Sequence, residues 1–297
     1  MASVPQYFTH YPNMDSGFPF HLKINTLTKG FPSHRHDYLE FSYVIEGSGN
    51  EIINGVTHPM RPGTFTLVMP YQYHEIHPDP GQRLSLYNCN FGIHLYAPGE
   101  PIPGIDWQST EAELPPFVQM SGDGHERMCR ILQELMQEYT GSEAWKHALI
   151  KAKLMELLVQ FDRTRRETAS GEAGSQHTSD RTASRGSIWR VIQHIHAHYQ
   201  EDLTLSGLAE RFGFSIPYLS ELFKKTIGQN FVTFVHEVRI RQACGLLVST
   251  EMNVSDIALE TGYGSYNTFA RIFRETKGMT PVAYRKMKAA KPMHEEA

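Results

Sequence analysis

The sequence predicts a multidomain α+β protein: an N-terminal β-barrel or sandwich carrying a helical hairpin, followed by a C-terminal all-α domain. Three observations predict it. Residues 20–96 consist of short apolar and aromatic runs separated by turn residues, the pattern of strands. Between Gly124 and Phe161 the hydrophobic spacing changes to the helical period. From residue 188 onward the chain reads as helical segments punctuated by glycine, and part of it repeats itself. At roughly 100 to 200 residues per domain, a length of 297 residues accommodates two domains. A net charge of -4 with 40% hydrophobic residues excludes wholesale disorder and a collagen-like chain. No apolar run approaches the roughly 18 residues of a membrane span, and Met1 to His10 lacks the charged and apolar regions of a signal peptide. A cytoplasmic protein without membrane contact is therefore expected. Cys89, Cys129 and Cys244 are widely spaced, form no metal-type pair, and are expected to be reduced and inert.

In the strand-rich part the turn signals are Glu46-Gly47-Ser48-Gly49, Asn54-Gly55 and Arg61-Pro62-Gly63, with Asn54-Gly55 the clearest hairpin. Met128, Ile131, Leu132, Leu135, Met136 and Tyr139 then mark one amphipathic helix. Leu149, Leu154, Leu157, Leu158 and Phe161 mark a second, joined to the first near Gly141. This hairpin either covers the barrel or also offers a dimer surface. Residues 164–187 contain alanine as their only apolar type and are rich in Ser, Thr, Gly and charge, so they read as a linker that cannot offset the entropy of ordering. Beyond it, Ile188, Val191, Ile192, Ile195 and Tyr199 share one helical face behind Ser187 as N-cap. The expected division is a barrel over 1–120, the hairpin over 121–163, the linker over 164–187, the helical domain over 188–288 and a tail over 289–297.

The repeat lies in the helical domain. Leu208-Ala209-(x3)-Gly213-Phe214 matches Ile257-Ala258-(x3)-Gly262-Tyr263, and Ser215, Phe223 and Gly228 match Ser265, Phe273 and Gly278 with one residue inserted at the turn. Each copy reads as a short helix starting after Thr204 or Asn253, a glycine turn, and a second helix capped by Ser215 or Ser265. That is the helix-turn-helix layout, in which the second helix lies in the major groove of DNA. Between the copies, Phe231 to Val248 is apolar-periodic and would form a helix about 27 Å long. Such a strut could hold two recognition helices near the roughly 34 Å spacing of successive major grooves. Charge is divided in the same sense, with a net -7 over residues 1–160 and +3 over 188–288.

The helical domain resembles that of AraC/XylS-type transcription regulators. The resemblance rests on the repeat, on Arg239-Ile240-(x2)-Ala243-(x2)-Leu246-Leu247, and on Phe269-(x3)-Phe273-(x4)-Gly278-Met279-Thr280-Pro281-(x2)-Tyr284-Arg285. It implies a DNA-binding regulator with a small-molecule effector, with promoter or operator DNA, a second copy of the chain and RNA polymerase as partners. It places Ser215, Ile216, Pro217, Ser220 and Glu221 at groove-facing positions of the first recognition helix, and Ser265, Tyr266, Asn267, Thr268 and Arg271 in the second. Asn pairs bidentately with adenine and Arg with guanine, whereas Pro217 cannot donate and Glu221 would repel phosphate unless it meets a cytosine amine. Lys224, Lys225, Arg274 and Lys277 read as phosphate contacts or as solvated charges. Phe214, Leu222, Phe223, Tyr263, Phe269 and Phe273 are expected in the core.

In the strand-rich part, His34-Arg35-His36-(x3)-Glu40-(x6)-Gly47 and Gly63-(x6)-Pro70-(x3)-His74 resemble the two halves of a cupin motif. Residues 34, 36 and 40 share one parity and would face one way along a strand. With His74 they could form a three-His, one-carboxylate site for Fe, Mn, Ni or Zn. The resemblance does not require a metal: the same residues, with Tyr38, Tyr43, Tyr73 and His77, could line an effector pocket, or the histidines could be structural. Family resemblance favours a sugar or related metabolite as effector, with no cofactor required. The alternative is a metal-dependent cupin enzyme with a helical appendage.

Overall fold

The computed structural model describes residues 6–8, 12–13, 18–92, 95–96, 102–103, 114–172 and 188–289. They form two compact units. The first contains strands β1 (Gln6–Phe8), β2 (Phe20–Leu27), β3 (Phe31–His36), β4 (Leu39–Glu46), β5 (Gly49–Ile53), β6 (Val56–Met60), β7 (Thr64–Val68), β8 (His74–Pro78), β9 (Leu84–Phe91) and β10 (Phe117–Gln119). Among the described residues these make two sheets, ordered β1-β3-β8-β5-β6 and β10-β7-β4-β9-β2. Helices α1 (Gly122–Thr140) and α2 (Lys146–Glu172) follow. β1 and β10 lie outside the stretch that the sequence pattern marks as strand-rich. Each is three residues long, too short for an alternation to show.

Turn chemistry sets the registers. Asn54 and Gly55 both have positive φ, 49° and 84°, as a two-residue hairpin between β5 and β6 requires. Ile53 and Val56 then pair directly. The two sheets face each other, and Val44, Met60, Ile76, Leu84 and Leu86 form a buried cluster between them. The opposite face of the β4–β7–β9 sheet is covered by the hairpin. Phe65 stacks on Phe41 at 5.0 Å and on Phe161 of α2 at 4.8 Å, and Met128, Leu132, Leu135, Leu154, Leu157 and Leu158 are buried. Truncating a buried Phe of this kind to Ala costs about 3–5 kcal/mol.

Three expectations are corrected. The linker cannot begin at 164, because α2 runs on to Glu172; Asp162 accepts from Arg165 and Arg166 at 2.8 Å each, and Arg165 lies over the Phe161 ring at 5.2 Å. Local ion pairs and a cation–π contact thus extend a helix that has no apolar stripe left. Residues 173–187 and 290–297, including the rest of the expected linker, Ser187 and nearly all of the tail, lie outside the described residues. Leu149 is 44% exposed, and Ile150, four before Leu154, holds the buried position instead. Residues 34–40 are not one strand: the chain leaves β3 after His36 and enters β4, in the other sheet, at Leu39.

The second unit comprises α3 (Ile188–Ala197), α4 (Leu205–Phe212), α5 (Ile216–Ile227), α6 (Phe231–Ser249), α7 (Val254–Glu260), α8 (Tyr266–Lys277) and α9 (Pro281–Ala289). Thr204 caps α4 by accepting from Gly207 N at 3.1 Å, and Gly213 ends it at φ 75°. Ser215 and Ser265 cap α5 and α8 by accepting from the amides of Tyr218 and Thr268. Ile240, Ala243, Cys244, Leu247, Ile257, Ala258, Tyr263, Phe269, Phe273 and Tyr284 form one core, so the long helix α6 is built into the second copy. Phe223 is buried as expected, while Phe214 and Leu222 are half-buried. Arg285 closes the end of α6, donating to the carbonyls of Leu247 and Met252 at 3.1 and 2.7 Å. None of the three cysteines is in a disulfide, and Cys89 and Cys244 are buried. Among the described residues no helix is long and apolar enough to cross a membrane.

Candidate functional site

The barrel interior is divided between an apolar and a polar half. Strand pairing sets this: Val44 lies opposite Leu86, Ser42 opposite Asn88 and Thr66, and Glu40 opposite Asn90. Paired residues share a face, so the side that packs Val44 and Leu86 against Ile76 also carries Glu40, Ser42, Thr66, Asn88 and Asn90 inward. From the facing sheet come His34 opposite His74, Ile53 opposite His74, and Glu51 opposite both His58 and Ile76. His34, His36, His58, His74, Glu40, Glu51, Asn88 and Asn90 are all buried. Burying groups of this kind is costly unless partners meet them.

His34, His36 and His74 converge, each offering one ring nitrogen within 4.8 Å of the others. The Nδ1 of each ring is already engaged. His34 Nδ1 donates to the Pro32 carbonyl at 3.0 Å, His36 Nδ1 to the Tyr38 carbonyl at 2.9 Å, and His74 Nδ1 to Glu51 Oε1 at 3.1 Å. Carbonyl and carboxylate oxygens only accept, so each Nδ1 carries its proton and the Nε2 atoms of His34 and His36 are left with lone pairs. His36 Nε2 and His74 Nε2 lie 3.1 Å apart. Burial, with the His74 charge beside them, lowers His34 to about 3 and pushes His36 well below the ordinary imidazole range. Burial alone would lower His74 too, but its bond to Glu51 and the carboxylates of Glu40 and Glu51 outweigh this and raise it. The contact between the two Nε2 atoms needs one further proton, and these opposite directions assign it to His74, which donates to His36.

Glu40 does not join the three imidazoles as a fourth equivalent group. Its Oε2 is 3.5 Å from His36 Nε2, while its two oxygens accept from Asn88 and Asn90 at 2.8 Å each. Burial raises it despite these donors. Among the other expected pocket residues, Tyr38 stacks flat on His36 at 4.1 Å and belongs to the cluster. Tyr43 does not, because its parity turns it to the outer face, where its hydroxyl bonds His125 of α1 at 2.7 Å. Tyr73 lies under the Arg35 guanidinium at 5.1 Å, on the other side of the strands from the histidines. His77 is exposed beside Glu75 at 3.4 Å. Sequence reasoning missed Glu51, Asn88 and Asn90. Their signal is an acid or amide at an inward parity, in step with Ile53 or Leu86, but it shows only once the inward parity is known. Ser42 Oγ, Glu51 Oε2, Thr66 Oγ1 and Asn90 Oδ1 are buried without a hydrogen-bond partner among the described residues.

In the helical unit, Ser215, Ile216, Pro217, Ser220, Glu221, Lys224 and Lys225 of the first copy are all exposed. So are Ser265, Tyr266, Asn267, Thr268, Arg271 and Arg274 of the second. Arg271 is held by Glu275 one turn on, at 2.9 and 3.1 Å. Ser215 and Ser265 are the caps. Ile216, Pro217, Ser220 and Glu221, and likewise Tyr266, Asn267, Thr268 and Arg271, lie on the first two turns, the part that meets base edges in a helix-turn-helix, and Lys224, Lys225 and Arg274 stand in the last turn.

A family model described as an AraC-like ligand binding domain matches residues 25–158, and one described as a helix-turn-helix domain matches 208–287. An uncharacterized HTH-type transcriptional regulator of Bacillus subtilis, YfiF, is 27% identical over 86% of this chain and 78% of its own length. HTH-type regulators of Staphylococcus aureus are 29% identical over 53% of this chain, which spans only 20% of their length. Among solved structures, the C-terminal domain of AraT from Geobacillus stearothermophilus is 31% identical over 37% of this chain and 93% of that one, with a TM-score of 0.34. ToxT from Vibrio cholerae is 12% identical over 92% and 99%, with a TM-score of 0.37. With both family models matched in sequence order along one chain, the protein belongs to the AraC-type DNA-binding transcription regulators.

Proposed function

We propose that the barrel binds a small polar effector, a sugar or related metabolite, in its polar half, and that binding shifts the chain between states of different DNA affinity. The observation that carries this reading is the set of four buried, unpartnered polar atoms, Ser42 Oγ, Glu51 Oε2, Thr66 Oγ1 and Asn90 Oδ1, on facing walls of one interior. Glu51 Oε2 and Asn90 Oδ1 accept only, and hydroxyls can also donate. A ligand rich in hydroxyl groups would satisfy all four. Asn267 and Arg271 are assigned to base contacts and Lys224, Lys225 and Arg274 to phosphate, with the working form a homodimer and RNA polymerase a further partner. The test is fluorescence anisotropy of the protein with DNA from upstream of its own and neighbouring genes, against random DNA, over a salt series and a sugar panel. Binding about a thousandfold tighter than to random DNA, shifted by one sugar, supports the reading. A preference for one duplex that no sugar shifts overturns the effector assignment.

A second reading, that the barrel holds a divalent metal, is favoured by the three engaged Nδ1 atoms and convergent Nε2 atoms of His34, His36 and His74. Ligating histidines characteristically give their other nitrogen to a carbonyl or carboxylate, so the residues present fit a metal. These three would hold it, Glu51 would orient His74, and the ion would supply Lewis acidity toward an oxygen of the effector. Elemental analysis of protein purified without chelator tests this reading: stoichiometric metal that is lost in His36→Ala supports it, and metal-free protein that binds no added Zn2+ or Co2+ overturns it.

A further inference from the structure

We infer that the two recognition helices read DNA by different chemistry: α8 by side-chain hydrogen bonds, and α5 by apolar contact of Ile216 and Tyr218 with thymine 5-methyl groups. The inference rests on the chain's being a DNA-binding regulator and adds what its first half-site must look like.

The repeat sets the two helices in register. Ile216 takes the place of Tyr266, Pro217 of Asn267, Tyr218 of Thr268, Glu221 of Arg271, Lys224 of Arg274 and Lys225 of Glu275. Where α8 presents an amide and a guanidinium, α5 presents a ring without an N–H and a carboxylate. Ile216 is 50% exposed and Tyr218 55%, so two large apolar side chains stand in solvent on the helix's opening turn. Tyr218 is braced by Phe214, whose ring lies 5.8 Å away at 29°. Ser215 spends its oxygen on the Tyr218 amide, and Pro217 removes one of the free amides that would otherwise draw an anion to this end. Glu221 turns away guanine, whose groove edge only accepts, and admits the amine of cytosine. The surface complementary to this turn is a pyrimidine edge, thymine methyl beside cytosine amine. Lys224 and Lys225, one turn later and exposed, provide the phosphate attraction that the tip lacks. On its first two turns α8 exposes one large apolar side chain, Tyr266 in the place of Ile216, and has Thr268 in the place of Tyr218.

The experiment uses the full chain and the duplex it selects from a random library. Each thymine is replaced in turn by uracil, which removes only the methyl group. Within one half-site, each contacted thymine should lose about fourfold in affinity, the value of one buried methyl. That loss should disappear in Ile216→Ala or Tyr218→Ala and persist in Asn267→Ala. Both α5 residues are exposed, and thermal melting checks that the variants fold. Affinity unchanged by uracil at every position overturns the inference, as does a uracil effect that survives both α5 substitutions. Variants that bind DNA like the parent but lower transcription with RNA polymerase also overturn it, making α5 a polymerase surface. Failure to select any duplex over random DNA refutes instead the reading on which the inference rests.

Discussion

The histidine cluster makes the barrel acid-labile, and His34 gives the cleanest measure of it. Its folded value near 3 lies far below the ordinary 6.5, because burial, then the neighbouring His74 charge, penalise the imidazolium. A group whose folded value is depressed binds more protons when unfolded, so its contribution to stability is present above 6.5 and is lost as pH falls toward 3. At 1.36 kcal/mol per pH unit, the drop from pH 7.5 to 5 should cost about 2 kcal/mol through His34 alone. His36, shifted the same way, adds to this. His74 is raised, so its contribution grows as pH falls from 7.5 toward 6.5 and is complete below that, offsetting part of the loss in the upper part of the range and none of it between 6.5 and 5. Urea unfolding of wild type and His34→Gln in EDTA, followed at pH 7.5, 6.5 and 5, isolates the term. Gln cannot titrate, so the variant should lose about 2 kcal/mol less than wild type over that range, whatever its stability at pH 7.5. Parallel curves, within about 0.5 kcal/mol at all three values, would show that His34 accepts its proton freely and would refute the buried, neutral assignment.

Three further outcomes are expected. Glu51→Gln should weaken Zn2+ or Co2+ binding by about 10- to 100-fold in calorimetric titration, since it loosens the partner that orients His74; unchanged affinity would separate Glu51 from any metal role. Arg271→Ala should weaken binding to the selected duplex by about 1–3 kcal/mol and relax preference at one base pair. Equal loss on random DNA would make Arg271 a phosphate contact. A fragment beginning at 188 should be helical by circular dichroism, melt cooperatively and bind DNA, because the apolar faces of α3–α9 meet within their own unit; a non-cooperative fragment would refute the independence of the helical unit.

Sequence alone determined those features whose physics is local. The Asn54-Gly55 hairpin, the caps at Thr204, Ser215 and Ser265, the glycine after α4 and the 3.6-residue period of α1 each depend on residues within a few positions of one another. The duplication was legible for the same reason, since it needs only comparison of the chain with itself, and the grouping of His34, His36 and His74 came from the resemblance of two segments to the halves of a cupin motif. Local charge also misled. The run after residue 163 looks unable to order, yet Asp162 with Arg165 and Arg166 carries α2 to Glu172.

Tertiary structure alone decided what each inward-facing group meets. A parity rule cannot see that the chain changes sheets between His36 and Leu39, so Glu40 faces the cluster from the opposite wall, bound to Asn88 and Asn90. Nor can it tell the interior of a barrel from the face beneath a hairpin, which is why Tyr43 ends against His125 and Phe65 rather than among the inward-facing polar groups. Glu51 becomes the partner of His74 only when β5 pairs with β8. A side chain's environment is made by strands distant in sequence, and the cost of burying charge is set there.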